Sequence, residues 1–204
     1  MLKFKLKNSQ IRFQVGYGLT RTVKILIALS VGIFFLQRLA PNYINKLFGF
    51  IPSLAIGRFM IWQFLTAIFL HSTIIHLIFN MFGLYMFGGA LEKIWGGKAF
   101  LGYYLLCGVG GTVLTYLMYL INITPNAIYI GASASVYGLL GAFSVTYANQ
   151  TILLFFVIPL RAKYLAVIFG IIELISLFHK DGISHFGHLG GLFSGLLFLS
   201  LKKR

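Results

Sequence analysis

Residues His185 to Leu201 read HFGHLGGLFSGLLFLSL, an apolar stretch of helical length that opens with two histidines. Three of its glycines recur at four-residue spacing: Gly187, Gly191 and Gly195. A second apolar stretch, residues 132–147, has small residues in a similar pattern and Ser133 at its start. Small residues spaced in this way let helix backbones approach closely in lipid. The two stretches are therefore predicted to be neighbouring transmembrane helices.

The composition indicates a membrane protein. Hydrophobic residues make up 59% of the 204 and charged residues only 10%, with a mean hydropathy of +0.90, whereas a soluble domain has roughly 25% charged residues. The net charge of +14 comes from 17 Lys and Arg against three acids. These cations lie between apolar runs and not on one polar face, so nucleic acid is not an expected partner. The single cysteine, Cys107, excludes a disulfide framework and a thiolate metal motif.

Segment lengths predict an all-α membrane protein, a compact bundle of six transmembrane helices. The spans are Leu19 to Leu36, Ile74 to Leu91, Ala99 to Ile121, Ala132 to Tyr147, Tyr164 to Phe178 and His185 to Leu201. A basic N-terminal segment, 1–18, precedes the six-helix domain, 19–204. It lacks the cleavage site of a signal peptide, so we expect it to be retained.

Lys and Arg near the span ends predict the orientation. If the N-terminus is cytoplasmic, thirteen of the 17 cations fall on the cytoplasmic side: Lys3, Lys5, Lys7, Arg12, Arg21, Lys24, Lys93, Lys98, Arg161, Lys163, Lys202, Lys203 and Arg204. The other side receives four: Arg38, Lys46, Arg58 and Lys180. We therefore expect a multi-pass protein of the cell membrane with both termini cytoplasmic. Ser133 and His188 then lie near the extracytoplasmic end.

Two further segments are apolar but unsuited to spanning. The loop from Pro41 to His71 is rich in aromatic residues and interrupted by polar ones, and the run from Ile152 to Leu160 is too short. Both are predicted to lie along the membrane interface.

Polar groups inside the predicted spans are candidate functional residues, because such groups are costly in lipid. Ser133 and His188 would form a nucleophile and base if they approached to roughly 3 Å. His76 and Asn80 are four residues apart and share a helix face. They could donate hydrogen bonds to an oxyanion or could simply tie helices together.

The ordered set of motifs resembles the rhomboid intramembrane serine proteases over nearly all of the chain from the first loop onward. The motifs are His71-x4-His76-x3-Asn80, Gly88-Gly89-x2-Glu92, Gly131-Ala132-Ser133 with Tyr137, and His185-x2-His188-Leu189-Gly190-Gly191-x3-Gly195. As a set they are specific, although Gly-x-Ser alone would be weak.

The resemblance implies roles for individual residues. Ser133 matches the nucleophile and His188 the general base of a dyad with no third carboxylate. His76 and Asn80 match the oxyanion donors, and Tyr137 matches an aromatic residue that packs on the catalytic imidazole.

The same resemblance implies the surroundings of the site. Glu92 matches an acid that ties a helix end, and the loop 41–71 matches an element beside the substrate entrance. The implied partners are transmembrane protein substrates and membrane lipids, with no cofactor and no metal, and the oligomeric state is left open. A water-filled cavity is expected to hydrate His71 and His185, with His185 at the edge of a loop.

Departures from the family pattern remove no catalytic group. Ala134 follows the nucleophile where many relatives have Gly, Gln63 follows Trp62 where Arg is frequent, and Ser135 breaks the Gly-x-Ser-x-Gly elbow of soluble hydrolases.

Three alternatives stay open: an inactive relative that binds transmembrane clients, a lipid-modifying or acyl-transfer enzyme, and a metal transporter or membrane metalloprotein. The last would use four histidines: His71, His76, His185 and His188. Against it, the His71 to His76 spacing turns the two rings about 140° apart on a helix.

Overall fold

The computed structural model describes residues 3–6, 9–12, 18–154, 157–179 and 181–202. Its α-helices are α1 (Arg21–Leu39), α2 (Pro41–Phe48), α3 (Pro52–Gly57), α4 (Gln63–Thr66), α5 (Ile74–Gly83), α6 (Gly89–Trp95), α7 (Gly97–Leu120), α8 (Ser133–Thr146), α9 (Leu165–Ser176) and α10 (His185–Lys202). A π-helical turn, Leu84–Gly88, joins α5 to α6, and short 3-10 turns cover Ala67–Phe69 and Ala162–Tyr164.

Helical segments coincide with the predicted spans. The largest difference is at the end of the second span, where Trp95 and not Leu91 is the last helical residue. Three helical segments are long and apolar enough to cross a membrane: Arg21–Leu39, Ile74–Trp95 and Gly97–Leu120. The apolar helix α8 is shorter. The protein is thus a mainly helical membrane protein, and the count of six crossings stays a prediction.

Two short antiparallel hairpins depart from the all-helical prediction. Strands β1 (Lys3–Leu6) and β2 (Ser9–Arg12) pair within the basic N-terminal segment. Strands β3 (Thr151–Leu154) and β4 (Ile158–Arg161) pair in the run that was expected along the interface. At four residues each, the strands are too short to span a bilayer.

Glycine contacts hold α7, α8 and α10 together. A Cβ atom added to Gly191 of α10 would stand 2.0 Å from the Ala134 carbonyl oxygen of α8, and one added to Gly138 of α8 would stand 2.3 Å from the Cys107 sulfur of α7. Side chains at these glycines are therefore excluded. The predicted pairing of the fourth and sixth spans is confirmed, and α7 is a third partner that the glycine pattern did not identify.

Large apolar side chains cover much of the outer surface. Phe35, Phe79, Ile175 and Phe193 are each exposed by more than 60%. Exposed apolar surface on this scale would be unusual in a soluble monomer. A lipid environment accounts for it, because lipid tails are as apolar as these side chains.

Glu92 ties α6 to the start of α1. Its carboxylate accepts backbone N–H groups from Thr22 at 2.9 Å and from Val23 at 3.0 Å, together with the Thr20 hydroxyl. The first N–H groups of a helix have no intrahelical partner, and a negative charge there is favourable. The expected structural role of Glu92 is borne out by these contacts.

The loop between α1 and α5 is a folded element built around Gln63. Its side chain is fully buried, donates to the Lys46 carbonyl oxygen at 2.8 Å and accepts the Ile51 N–H at 3.0 Å. The neighbouring Trp62 indole N–H donates to the Leu47 carbonyl oxygen at 2.8 Å. Gln63 stands where arginine is frequent in the family that the sequence resembles. Its hydrogen bonds to backbone groups fix the interior of this loop.

Candidate active site

Ser133 and His188 meet at the ends of their helices. Ser133 is the first residue of α8, and His188 lies in the first turn of α10. The Ser133 Oγ atom is 2.8 Å from Nε2 of His188, although 55 residues separate them along the chain. The close approach of α8 and α10 at Gly191 makes this hydrogen bond possible. A serine hydroxyl hydrogen-bonded to an imidazole is the pairing that nucleophilic catalysis requires.

Tyr137 holds the imidazole of His188 on one face. It lies one helical turn beyond Ser133, and its ring stacks on that of His188 with 4.5 Å between centroids and 10° between planes. The predicted packing of this aromatic residue on the histidine is therefore found in the structure.

A carboxylate approaches the far side of His188, contrary to the expectation of an isolated dyad. Oε1 of Glu173 is 3.0 Å from Nδ1 of His188, at ion-pair distance but outside the geometry of an in-line hydrogen bond. The same oxygen accepts the Tyr137 hydroxyl, and Oε2 lies 2.6 Å from Nδ1 of His185. The expectation was wrong because the apolar sequence of α9 does not indicate that the side carrying Glu173 faces α10. Its occurrence within an apolar span was the signal that could have identified it.

His185 is not the solvated loop residue that was expected. It is only 6% exposed, and its Nε2 atom is 3.3 Å from a carboxylate oxygen of Asp181. Because Glu173 contacts its other ring nitrogen, His185 is held between two acids.

His76 and Asn80 lie on α5 beside the serine loop. A Cβ atom added to Gly131, whose φ is +131°, would stand 2.7 Å from Nε2 of His76. The His76 ring therefore packs against backbone two residues before Ser133. Nδ1 of His76 is 3.1 Å from the Ser72 hydroxyl. Asn80 donates one amide hydrogen to the His76 carbonyl oxygen at 2.9 Å, and a side-chain amide has a second hydrogen to offer.

His71 was expected to be hydrated, but the structure buries it. It has no exposed surface, and its ring centroid is 5.2 Å from that of His76. Among the described residues, neither of its ring nitrogens has a partner in hydrogen-bond geometry. Burial, assisted by His76, lowers the pKa of His71 to about 4, against the smaller opposing effect of the Phe69 backbone. The imidazole is therefore neutral at physiological pH.

A small cavity opens beside the Ser133 and His188 pair. Its volume of about 40 Å³ is enough for more than one water molecule. Its polar lining includes Ser133, His188, Thr112, Thr115 and Ser184. Hydroxyl groups of this kind can hold water within reach of the serine.

The side chains that could bind a metal ion are not the four histidines of the metalloprotein alternative. Within the described part of the chain, the residues whose ligand atoms come within 4.8 Å of one another are Glu173, His185 and His188. His71 and His76 do not join them. Hydrogen bonds and ion-pair contacts already account for the approach of these three side chains.

The sequence is similar to those of several known proteins. A model of the Rhomboid domain matches residues 58–203. The chain is 32% identical to "Rhomboid protease GluP" of Bacillus subtilis (strain 168), over 84% of the chain and 32% of that protein. It is 28% identical to "Putative rhomboid protease YdcA" of the same bacterium, over 94% of each chain. "Rhomboid-like protease 3" of Toxoplasma gondii is 31% identical, over 70% of the chain and 52% of that protein.

The relatives differ in length. The chain spans about a third of GluP and about half of protease 3, but nearly the whole of YdcA. The matched region, 58–203, includes every residue of the candidate site, from His71 to His188. The chain therefore belongs to the rhomboid family.

Proposed function

We propose that this protein is an intramembrane serine endopeptidase that cleaves transmembrane segments of other membrane proteins. The observation that carries the proposal is the 2.8 Å contact between Ser133 and His188 at the starts of two packed helices. The names of similar proteins, which include rhomboid proteases, support the same activity. Packing alone would not require a hydroxyl and an imidazole at this position.

The acylation half of the reaction follows from the orientation of the pair. Nε2 of His188 takes the proton of the Ser133 hydroxyl as Oγ attacks the carbonyl carbon of the scissile bond. The tetrahedral intermediate then collapses, and His188 returns the proton to the leaving amine. The ester of Ser133 with the substrate's acyl portion remains.

Charge on the oxyanion needs donors near Ser133. The Ser133 backbone N–H lies at the start of α8, where helix N–H groups have no intrahelical partner. His76, against Gly131, and Asn80, with its second amide hydrogen, are the proposed side-chain donors. Tyr137 positions the base by stacking on it.

Hydrolysis of the acyl-enzyme requires water inside a lipid-embedded protein. The cavity beside Ser133 provides space for it. His188 would take a proton from this water as its oxygen attacks the ester, and the proton would then return to the Ser133 oxygen. No bound metal or cofactor is needed for these steps.

Substrate helices must unwind before they can react, because a helical carbonyl is already hydrogen-bonded and screened by side chains. Substrates with Gly, Pro or small residues near the cut are therefore expected. We place the six helices across the cell membrane with both termini in the cytoplasm, because this arrangement puts most Lys and Arg residues on the cytoplasmic side. The site then opens toward the extracytoplasmic side, among membrane lipids.

A panel of transmembrane peptides tests the function. The purified protein is incubated with each peptide in detergent, and products are mapped by mass spectrometry with and without EDTA. We expect internal cuts next to small residues at equal rates in both conditions. Loss of cleavage on chelation would favour a metalloprotein. Absence of both cleavage and fluorophosphonate labelling would favour an inactive family member, and release of fatty acid from added lipid would favour a lipid-modifying enzyme.

A further inference from the structure

Glu173 connects the candidate base to the rest of the bundle. It lies in α9, where its neighbours Ile172 and Leu174 are about half exposed, yet Glu173 is only 4% exposed. Its Oε1 atom is 3.0 Å from Nδ1 of His188, and Nε2 of the same ring contacts Ser133 at 2.8 Å. The imidazole of His188 thus lies in space between the Ser133 hydroxyl and the Glu173 carboxylate.

The partners of the carboxylate satisfy both of its oxygens. Oε1 accepts the hydroxyl of Tyr137 and faces His188, while Oε2 contacts Nδ1 of His185 at 2.6 Å. Burying a carboxylate in an apolar environment is costly unless it is paired and hydrogen-bonded. Two imidazoles and a phenol provide that pairing here.

This position determines which nitrogen of His188 is free to react. A carboxylate beside Nδ1 favours a hydrogen on that atom, which leaves Nε2 with a lone pair to accept the Ser133 proton. Once the proton has moved, the ring is a cation and the carboxylate stabilises it. Tyr137 contacts both members of this pair, because its ring stacks on the His188 imidazole and its hydroxyl donates to Glu173.

We propose that Glu173 is a positioning residue that acts through His188, so that Ser133 and His188 work with an acid and not as an isolated dyad. This inference rests on the proposed function. Glu173 fixes the tautomer of His188 and stabilises the imidazolium formed during acylation. His185 holds the second carboxylate oxygen and so keeps Oε1 turned toward the base.

A purely structural role predicts different behaviour. If Glu173 served only to tie α9 to α10 through His185, removing either partner of the 2.6 Å contact would have the same effect. If Glu173 positions the base, removing its charge affects the chemical step more than removing His185 does.

Four proteins in the same detergent separate these roles: wild type, Glu173→Gln, Glu173→Asp and His185→Gln. For each, kcat and KM are measured on one transmembrane substrate, with the fluorophosphonate labelling rate and the thermal unfolding midpoint. We expect Glu173→Gln to lower kcat and the labelling rate about 10- to 100-fold with KM within about threefold. The loss is smaller than the ~10⁴-fold found when a triad Asp becomes Asn, because Tyr137 still holds the ring.

The two other variants serve as controls. Glu173→Asp keeps the charge and is expected to recover part of the rate lost in Glu173→Gln. His185→Gln is expected to lose less rate than Glu173→Gln. Wild-type labelling rates in Glu173→Gln, or equal losses in Glu173→Gln and His185→Gln, would overturn the proposal.

A spectroscopic measurement on the wild type tests the tautomer of His188 directly, without relying on the activity of a variant. In protein labelled with ¹⁵N-histidine, the His188 signal, assigned by its absence in His188→Gln, is expected to be that of the Nδ1-protonated tautomer. An Nε2-protonated ring would contradict the role of Glu173. If the wild type neither cleaves nor labels, the proposed function fails, while the tautomer still tests the contact with Glu173.

Discussion

Gly191 of α10 lies directly against the backbone of Ala134 of α8, so close that an added Cβ would stand 2.0 Å from the Ala134 carbonyl oxygen. This contact lies next to Ser133 along the chain and within one helical turn of His188. The distance between the two helices therefore determines the distance between the nucleophile and the base.

Gly191→Ala is expected to reduce cleavage at least tenfold and to lower the thermal unfolding midpoint, because the added methyl group would force α8 and α10 apart. The matched control is Gly32→Ala in α1, where an added Cβ meets nothing within 4 Å. That variant is expected to keep the wild-type rate, with equal or higher stability. Equal behaviour of the two variants in a peptide cleavage assay would show that the contact does not set the site geometry.

The two histidines of α10 are expected to differ in function. His188→Ala removes the ring that contacts Ser133, so cleavage and fluorophosphonate labelling are both expected to disappear. His185→Ala leaves that contact in place and is expected to keep labelling and to lose only part of the activity. The variants are compared side by side in one detergent. The reverse pattern would assign the general base to His185.

His76→Ala and Asn80→Ala are each expected to slow cleavage about 100- to 1,000-fold, the usual effect of losing one oxyanion donor. Labelling of Ser133 is expected to stay measurable, because the nucleophile and base are unchanged. The measurement is turnover of a single transmembrane substrate at saturation. Wild-type turnover in both variants would reduce their role to helix packing.

Acid is expected to destabilise the protein through His71. Its folded pKa of about 4 is below the ordinary value of 6.5, so the unfolded chain binds more protons between these pH values. The stabilising contribution is complete above about pH 6.5, and about 3 kcal/mol of it is lost as the pH falls toward 4. The unfolding midpoint in detergent is measured from pH 7.5 to 4.5. His71→Phe, which keeps a buried ring without the titrating group, is expected to flatten this dependence, and an unchanged slope would contradict the assignment.

The helical segments and the pairing of Ser133 with His188 were predictable from the sequence. Small residues in apolar spans indicate close helix packing, and rare polar groups there indicate a functional site. The sequence was not sufficient to predict that Glu173 contacts His188. A helix such as α9 is apolar on nearly all sides, so hydrophobic periodicity does not indicate which side faces the protein. The burial of His185 was not predictable for the same reason, because His185 contacts Glu173 of α9 as well as Asp181.

The interior role of α7 was also not predictable from the spacing of small residues. Its glycines contact both α8 and α10, as at Gly111, where an added Cβ would stand 2.4 Å from that of Ala134. Small residues show that a helix can approach a neighbour closely but not which neighbour it meets. Only the assembled bundle identifies α7 as the third helix around the site.

Replacement of the nucleophile is the sharpest test of the proposed mechanism, and α8 provides a matched control. Ser133→Ala removes the hydroxyl that contacts His188, whereas Ser135→Ala removes a buried hydroxyl that donates to the Tyr104 carbonyl oxygen at 2.7 Å. Each purified variant is incubated with a substrate that the wild type cuts, and the products are mapped by mass spectrometry. We predict no cleavage by Ser133→Ala at an unchanged unfolding midpoint, with the cut retained in Ser135→Ala. Cleavage at the same bond by Ser133→Ala would contradict the assignment of Ser133 as the nucleophile.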